Sequence, residues 1–111
     1  MQDYLKFYIN GEWVDPVEPR TLDVENPATE EPFARISLGS KADVDKAVKA
    51  AQDAFPSFSQ TSVEFRAELL EKIAAGIQAR AGDMAKAISD EMGAPMWLAN
   101  AAQVPAGMGH Y

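Results

Sequence analysis

The 111-residue sequence contains no cysteine. Disulfides, thiolate metal ligands and a thiolate nucleophile are therefore excluded from within these residues. Positive charge is scarce: 10 Lys and Arg stand against 17 Asp and Glu, for a formal net charge of −7. Binding nucleic-acid backbone or an anionic membrane surface needs a cationic face, and no Lys/Arg cluster supplies one. Long hydrophobic runs are missing too. The longest strictly apolar stretch is Met96 to Ala99, far short of the roughly 20 residues that span a bilayer. The opening "MQDYLKFYIN" has no apolar segment of signal-peptide length. These absences predict a soluble, cytoplasmic chain with no nucleic-acid or membrane partner. There is no internal repeat and no low-complexity segment.

What is present suits a folded chain, since 47% of residues are hydrophobic and the length is normal for one compact domain. In "KFYINGEWVD", Lys6 to Asp15, alternating apolar residues flank an Asn-Gly pair. That pair predicts a two-residue type I′ hairpin, because both central positions need positive φ. An isolated two-stranded ribbon is marginal in water, and this one places Phe7, Ile9 and Trp13 on a surface that needs a partner. Leu22 and Val24 then alternate with acids, "NPATEEP" makes a longer connection, and Ala34, Ile36 and Leu38 share one face of a further extended segment. The pattern predicts two antiparallel ribbons in tandem.

From Ser40 the period becomes helical. Ser40 and Asp43 form a capping pair, and Val44, Ala47, Val48, Ala51 and Phe55 follow on one face until Pro56 ends the helix. Thr61 and Glu64 make a second capping box, opening a helix with Phe65, Leu69, Ile73 and Ile77 inward. Gly82 and Asp83 separate it from a third helix that carries Met84 and Ile88 on its inner face and stops at Gly93, a left-handed cap, with Pro95 beyond. Residues 94–111 hold no Asp, Glu, Lys or Arg, and "PMWLANAAQV" is helical and apolar on nearly every side. Such a helix is normally surrounded by protein, more than the preceding elements can supply. The expected fold class is α+β: two β-ribbons in residues 1–39, then about four helices in residues 40–111. The unburied apolar faces mark residues 1–111 as one incomplete segment of a larger fold.

Three signatures, "FYINGEWVD", "ENPATEEPFARI" and the helical stretch ending in Glu-Met-Gly-Ala-Pro, run in the order and spacing of the N-terminal region of NAD(P)-dependent aldehyde dehydrogenases. The chain resembles that family from about Phe7 onward. The resemblance implies a share in the α/β Rossmann-like cofactor domain of a larger, oligomeric oxidoreductase that oxidises an aldehyde to a carboxylic acid. In such enzymes a catalytic cysteine adds to the aldehyde to give a thiohemiacetal, hydride passes to NAD or NADP, and a glutamate activates the hydrolytic water. This chain lacks the cysteine, the general-base glutamate and the phosphate-contacting turn. No catalytic or cofactor-binding residue is expected in it, and neither NAD nor NADP is expected to bind the segment alone. Its implied partners are the remainder of the dehydrogenase chain and neighbouring subunits of a homo-oligomer. Many relatives carry Lys where this chain has Ala94, so no particular aldehyde is implied. The alternative from another class is a small self-associating interaction module of these residues alone; a truncated product of the enzyme is a third reading.

Among candidate sites, Asp90 and Glu91 sit in the last turn of the third helix, where the negative end of the macrodipole disfavours carboxylates. Glu91 is expected at the border of the buried face, with Asp90 pointing away. By the resemblance, Glu91 with the carbonyls of Val24 and Glu25 would line a monovalent-cation site; the plain alternative is a frayed helix end or a salt bridge to Lys or Arg. The lone His110 has no visible partner. "GMGHY" is no dinucleotide fingerprint, because no strand precedes it and no third glycine follows. Met84, Met92, Met96 and Met108 with Trp97 could line an apolar entrance, although core packing is the expected role. Glu30 and Glu31 are expected to be solvated turn residues.

Overall fold

The structure, a computed structural model, describes residues 1–111. The backbone groups into two compact units, one of residues 1–25 and 31–60, the other of residues 26–30 and 61–111.

In the first unit, β2 (Phe7–Ile9) and β3 (Glu12–Val14) form the expected hairpin, turning at Asn10 (φ 54°) and Gly11 (φ 81°). Its register pairs Phe7 with Val14, Tyr8 with Trp13 and Ile9 with Glu12. Directly opposed residues share a face, so Trp13 lies with Tyr8 rather than with Phe7 and Ile9 as expected. The two rings meet at 5.2 Å between centroids, tilted by 58°, and both remain exposed. The second ribbon is also altered. Strands β4 (Thr21–Asn26) and β5 (Glu31–Ser37) form, but β1 (Gln2–Tyr4) adds to β5 in parallel, giving a three-stranded sheet of order β1-β5-β4. Arg35 grips Asp3 across that pairing with two bonds of 3.1 Å. Leu38 falls beyond β5 and is exposed, its N–H bonding the Arg20 carbonyl at 2.8 Å.

Helix α1 (Lys41–Phe58) opens with the expected Ser40–Asp43 capping box. It does not stop at Pro56. The proline lies in the last turn, so the missing N–H forfeits only the bond to the Gln52 carbonyl, and Ser59 N–H still reaches the Phe55 carbonyl at 2.8 Å. The face expected inward is open in this chain: Val44, Val48 and Phe55 are all exposed. Its small residues Ala47, Ala50, Ala51 and Ala54 line a shallow cleft beneath Tyr8 and Ile9, so part of the hairpin's partner lies within these residues.

The second unit holds α2 (Val63–Ala79), α3 (Ala81–Met92) and a helix made of α4 (Met96–Leu98), a π-turn (Ala99–Gln103) and α5 (Val104–Met108). The cap of α2 is Ser62, which accepts from Phe65 N–H at 3.1 Å. Thr61 is displaced from the capping role, and its carbonyl and hydroxyl receive the Arg66 guanidinium instead. The break between α2 and α3 comes at Arg80 (φ −112°, ψ 18°), and Gly82 and Asp83 lie in the first turn of α3. Gly93 closes α3 in the left-handed conformation, as expected. The core consists of Ala85, Ala99 and Val104, with Ile77, Ala81 and Ile88 packed against it. Ile77 and Ile88 of the expected inner faces thus pack on this core, while Phe65, Leu69, Ile73 and Met84, also expected inward, are exposed because these residues do not cover them.

Candidate functional site

Within the second unit, two of the sequence signatures meet. The Asn-Pro-Ala-Thr turn is built by Asn26, whose side-chain Oδ1 accepts from Ala28 N–H at 2.8 Å and whose carbonyl accepts from Glu30 N–H at 2.8 Å. Glu30 completes it at φ 57°. Pro27 at its tip packs on Gly93: a Cβ there would lie 3.0 Å from Pro27 Cγ. Gly93 is thus required twice, by its positive φ of 73° and by the approach of the proline. Ala94, next in the chain, is buried.

The second constellation belongs to the first unit. Asp43 is buried at 5% exposure and accepts three bonds, from Val17 N–H at 2.9 Å and from Ser40 N–H and Oγ at 2.8 Å each. Those bonds, led by the Ser40 and Val17 backbone amides, hold its carboxyl below the usual carboxylate range against the opposing effect of burial. The sequence exposes the Ser40–Asp43 pair but carries no signal for Val17, 26 residues away. Chemically this is a structural clamp, with every carboxylate bond spent on ordering the loop before β4 and the start of α1.

The candidate residues fall as follows. Val24 is half-buried and Glu25 exposed, both in β4. Glu91 is exposed, and it is Asp90 that is half-buried and ion-paired to Lys86, the reverse of the expected orientation. Lys86, one turn earlier on the helix, lies against Asp90 and covers part of its carboxylate. No three His, Asp or Glu side chains gather to hold a metal. His110 is exposed in the turn after α5. Gly107 lies in α5 and Gly109 has φ −70°, so "GMGHY" closes a helix and makes no phosphate cradle. Met84, Met92, Met96 and Trp97 are exposed rather than packed in a core, because nothing in these residues covers them; Met108 is half-buried. Glu30 and Glu31 are both exposed, Glu30 in the turn and Glu31 opening β5.

The profile of the aldehyde dehydrogenase family matches residues 13–111. The chain belongs to the aldehyde dehydrogenase family. A curated relative from Staphylococcus aureus (strain USA300), whose name places it among the aldehyde dehydrogenases, is 47% identical over all 111 residues, which make up 23% of its own length. The aldehyde dehydrogenase of Bartonella henselae superposes with a TM-score of 0.97 at 49% identity, covering 99% of this chain and 23% of that one. A variant of aldehyde dehydrogenase C from Pseudomonas syringae, solved with NAD+ and octanal, superposes with a TM-score of 0.93 at 48% identity, covering 95% of this chain and 22% of that one. This aldehyde dehydrogenase segment therefore spans about a quarter of the length of the relatives it matches. Its α+β fold is shared with them, and none of its helices is long and apolar enough to cross a membrane.

Proposed function

We propose that this chain is the N-terminal portion of an NAD(P)-dependent aldehyde dehydrogenase that oxidises an aldehyde to a carboxylic acid through a cysteine thiohemiacetal formed outside these residues. The observation that carries the reading is near-half identity along the whole chain to proteins more than four times its length. One such relative holds NAD+ and an aldehyde. The cofactor, NAD or NADP, would bind to other parts of the parent, and by itself the segment is inactive. Residues 1–111 act as one scaffold segment, whose partners are the remainder of the chain, neighbouring subunits of a cytoplasmic homo-oligomer, and the aldehyde. The large apolar side chains left open on α1 and α2 support this reading.

The same open faces favour, as a second reading, a small self-associating module. Intact mass of the polypeptide from its native host separates the two. A mass several times 12.1 kDa with aldehyde-dependent NAD(P)H formation supports the enzyme; a mass equal to these residues removes it. The monovalent-cation assignment of Glu91, with the carbonyls of Val24 and Glu25, stands as a proposal of the family resemblance. Its support on this chain is that Glu91 is exposed while Lys86 is paired to Asp90. Sodium- or potassium-dependent stability of the parent enzyme, abolished in Glu91→Ala, is the expected result; equal stability in both salts sinks the assignment.

A further inference from the structure

The tip of the β2–β3 hairpin brings a primary amide, that of Asn10, next to the backbone nitrogen of Gly11. The pair that closes the ribbon is Ile9 with Glu12. The Gly11 N–H therefore lies in the two-residue turn, outside the ladder, and donates to no backbone carbonyl. Both turn residues are exposed. A Cβ on Gly11 would meet nothing within 4 Å, so the space around this nitrogen is open.

The chain holds three asparagines, and the other two lack this combination. Asn26 precedes Pro27, whose nitrogen carries no hydrogen, and its Oδ1 is tied to the Ala28 N–H at 2.8 Å. Asn100 lies in the π-turn, where the following N–H runs along the helix axis and away from the side chain. Its Nδ2 is held by the Met96 carbonyl at 2.8 Å, and the methyl of Ala101 crowds an approach. Only at Asn10 do an unhindered N–H and a free side-chain amide stand side by side.

We propose that Asn10 is a site of intramolecular deamidation, with Gly11 as the attacking residue and water as the co-reactant. The Gly11 nitrogen gives up its proton and bonds to Asn10 Cγ, closing a five-membered succinimide. The Cγ–Nδ2 bond breaks, and the side-chain nitrogen leaves as ammonia with a proton in place of the lost bond. Water then opens the ring, and no oxidation or reduction occurs. Addition at Cγ gives aspartate at position 10, and addition at the main-chain carbonyl carbon gives isoaspartate. Attack requires Asn10 to leave its turn conformation at φ 54°. A two-stranded ribbon is marginal alone and forms in about 1–10 μs, so opening recurs freely on the timescale of the chemistry. The products differ in effect. Aspartate suits the same turn position, whereas isoaspartate lengthens the main chain inside a two-residue turn that sets the pairing of Phe7 with Val14 and Tyr8 with Trp13.

The test is peptide mass mapping of the full-length protein purified from its native host and held for days at mildly alkaline pH in heavy-oxygen water. It needs no activity, so it stands whether or not the enzyme reading does. The expected result is progressive loss of Asn10, severalfold faster than any loss at Asn100, with one heavy oxygen taken up and isoaspartate present beside aspartate. An Asn10 peptide that stays unmodified overturns the proposal, as does one that converts no faster than the Asn100 peptide. Aspartate without isoaspartate also overturns it, because direct hydrolysis of the side chain passes through no ring.

Discussion

Helices α1 and α3 start from similar sequence material and end in opposite surroundings. Both are amphipathic, yet Ala85 of α3 is fully buried against Ala99, whereas Phe55 of α1 is 68% exposed. The same inversion runs through the chain. Its buried hydrophobic residues are four alanines and one valine, and no large side chain is fully buried. A self-sufficient domain hides its Leu, Ile and Phe first. What these residues bury among themselves is the small-residue contact that lets helices approach closely. The larger apolar side chains stay exposed within these residues.

The sharpest way to break this comparison is to truncate a large side chain in two contexts. Phe55→Ala in the isolated chain should change stability by no more than about 0.5 kcal/mol, as exposed sites do. In the full-length parent it should cost about 3–5 kcal/mol, as buried Phe does. Chemical denaturation of both proteins measures the difference, and equal effects would mean that α1 faces solvent in the parent too. Next in size is Gly93→Ala, where a Cβ meets both the positive φ and Pro27. It should cost about 1–2 kcal/mol for the left-handed backbone alone, and Pro27→Ala in the same chain should restore only the steric share. Full recovery would assign the whole effect to the contact.

The smallest effect sharpens the clamp at the start of α1. Because Asp43 ionises more readily folded than unfolded, its contribution to stability is fully present above the ordinary carboxylate range and is lost as pH falls below about 4. Carboxyl NMR titration should place Asp43 below an ordinary Asp, and Asn at position 43 should abolish the acid dependence attributable to this clamp. A titration at or above the ordinary value would refute the three-bond geometry. Removing the reciprocal partner, Ser40→Ala, should cost about 1 kcal/mol.

Much of this was legible in residue order, and where it was not the reasons are physical. Asn10-Gly11, Ser40 with Asp43, and Gly93 each declare a backbone geometry through local chemistry, and all three adopt it. The pairing of Trp13 with Tyr8 was also implicit, since a two-residue turn fixes the register of every pair. Strand β1 was not legible: Gln2–Tyr4 is three residues long and owes its pairing to β5 rather than to its own pattern. The inner faces of α2 and α3 were legible at Ile77 and Ile88, which pack on the core, but not at Phe65, Leu69, Ile73 and Met84, because periodicity finds an apolar stripe without saying how much of it this chain covers. Of the candidate site residues, the order at the end of α3, with Glu91 open and Asp90 half-buried beside Lys86, was not legible, because helical spacing puts Glu91 rather than Asp90 nearer Ala85 and Ile88.

The parallel pairing of β1 with β5 also sets a schedule. Gln2 has to wait for Ala34 and Tyr4 for Ile36, so β1 finds its neighbour only once β5 has been made. At synthesis rates of about 5–20 residues per second, that interval is roughly 2–6 s. For those seconds Asp3 has no Arg35 to hold it. The Gln2–Tyr4 segment therefore stays unpaired while the hairpin has ample time to close, and it joins the sheet as a late clasp on β5.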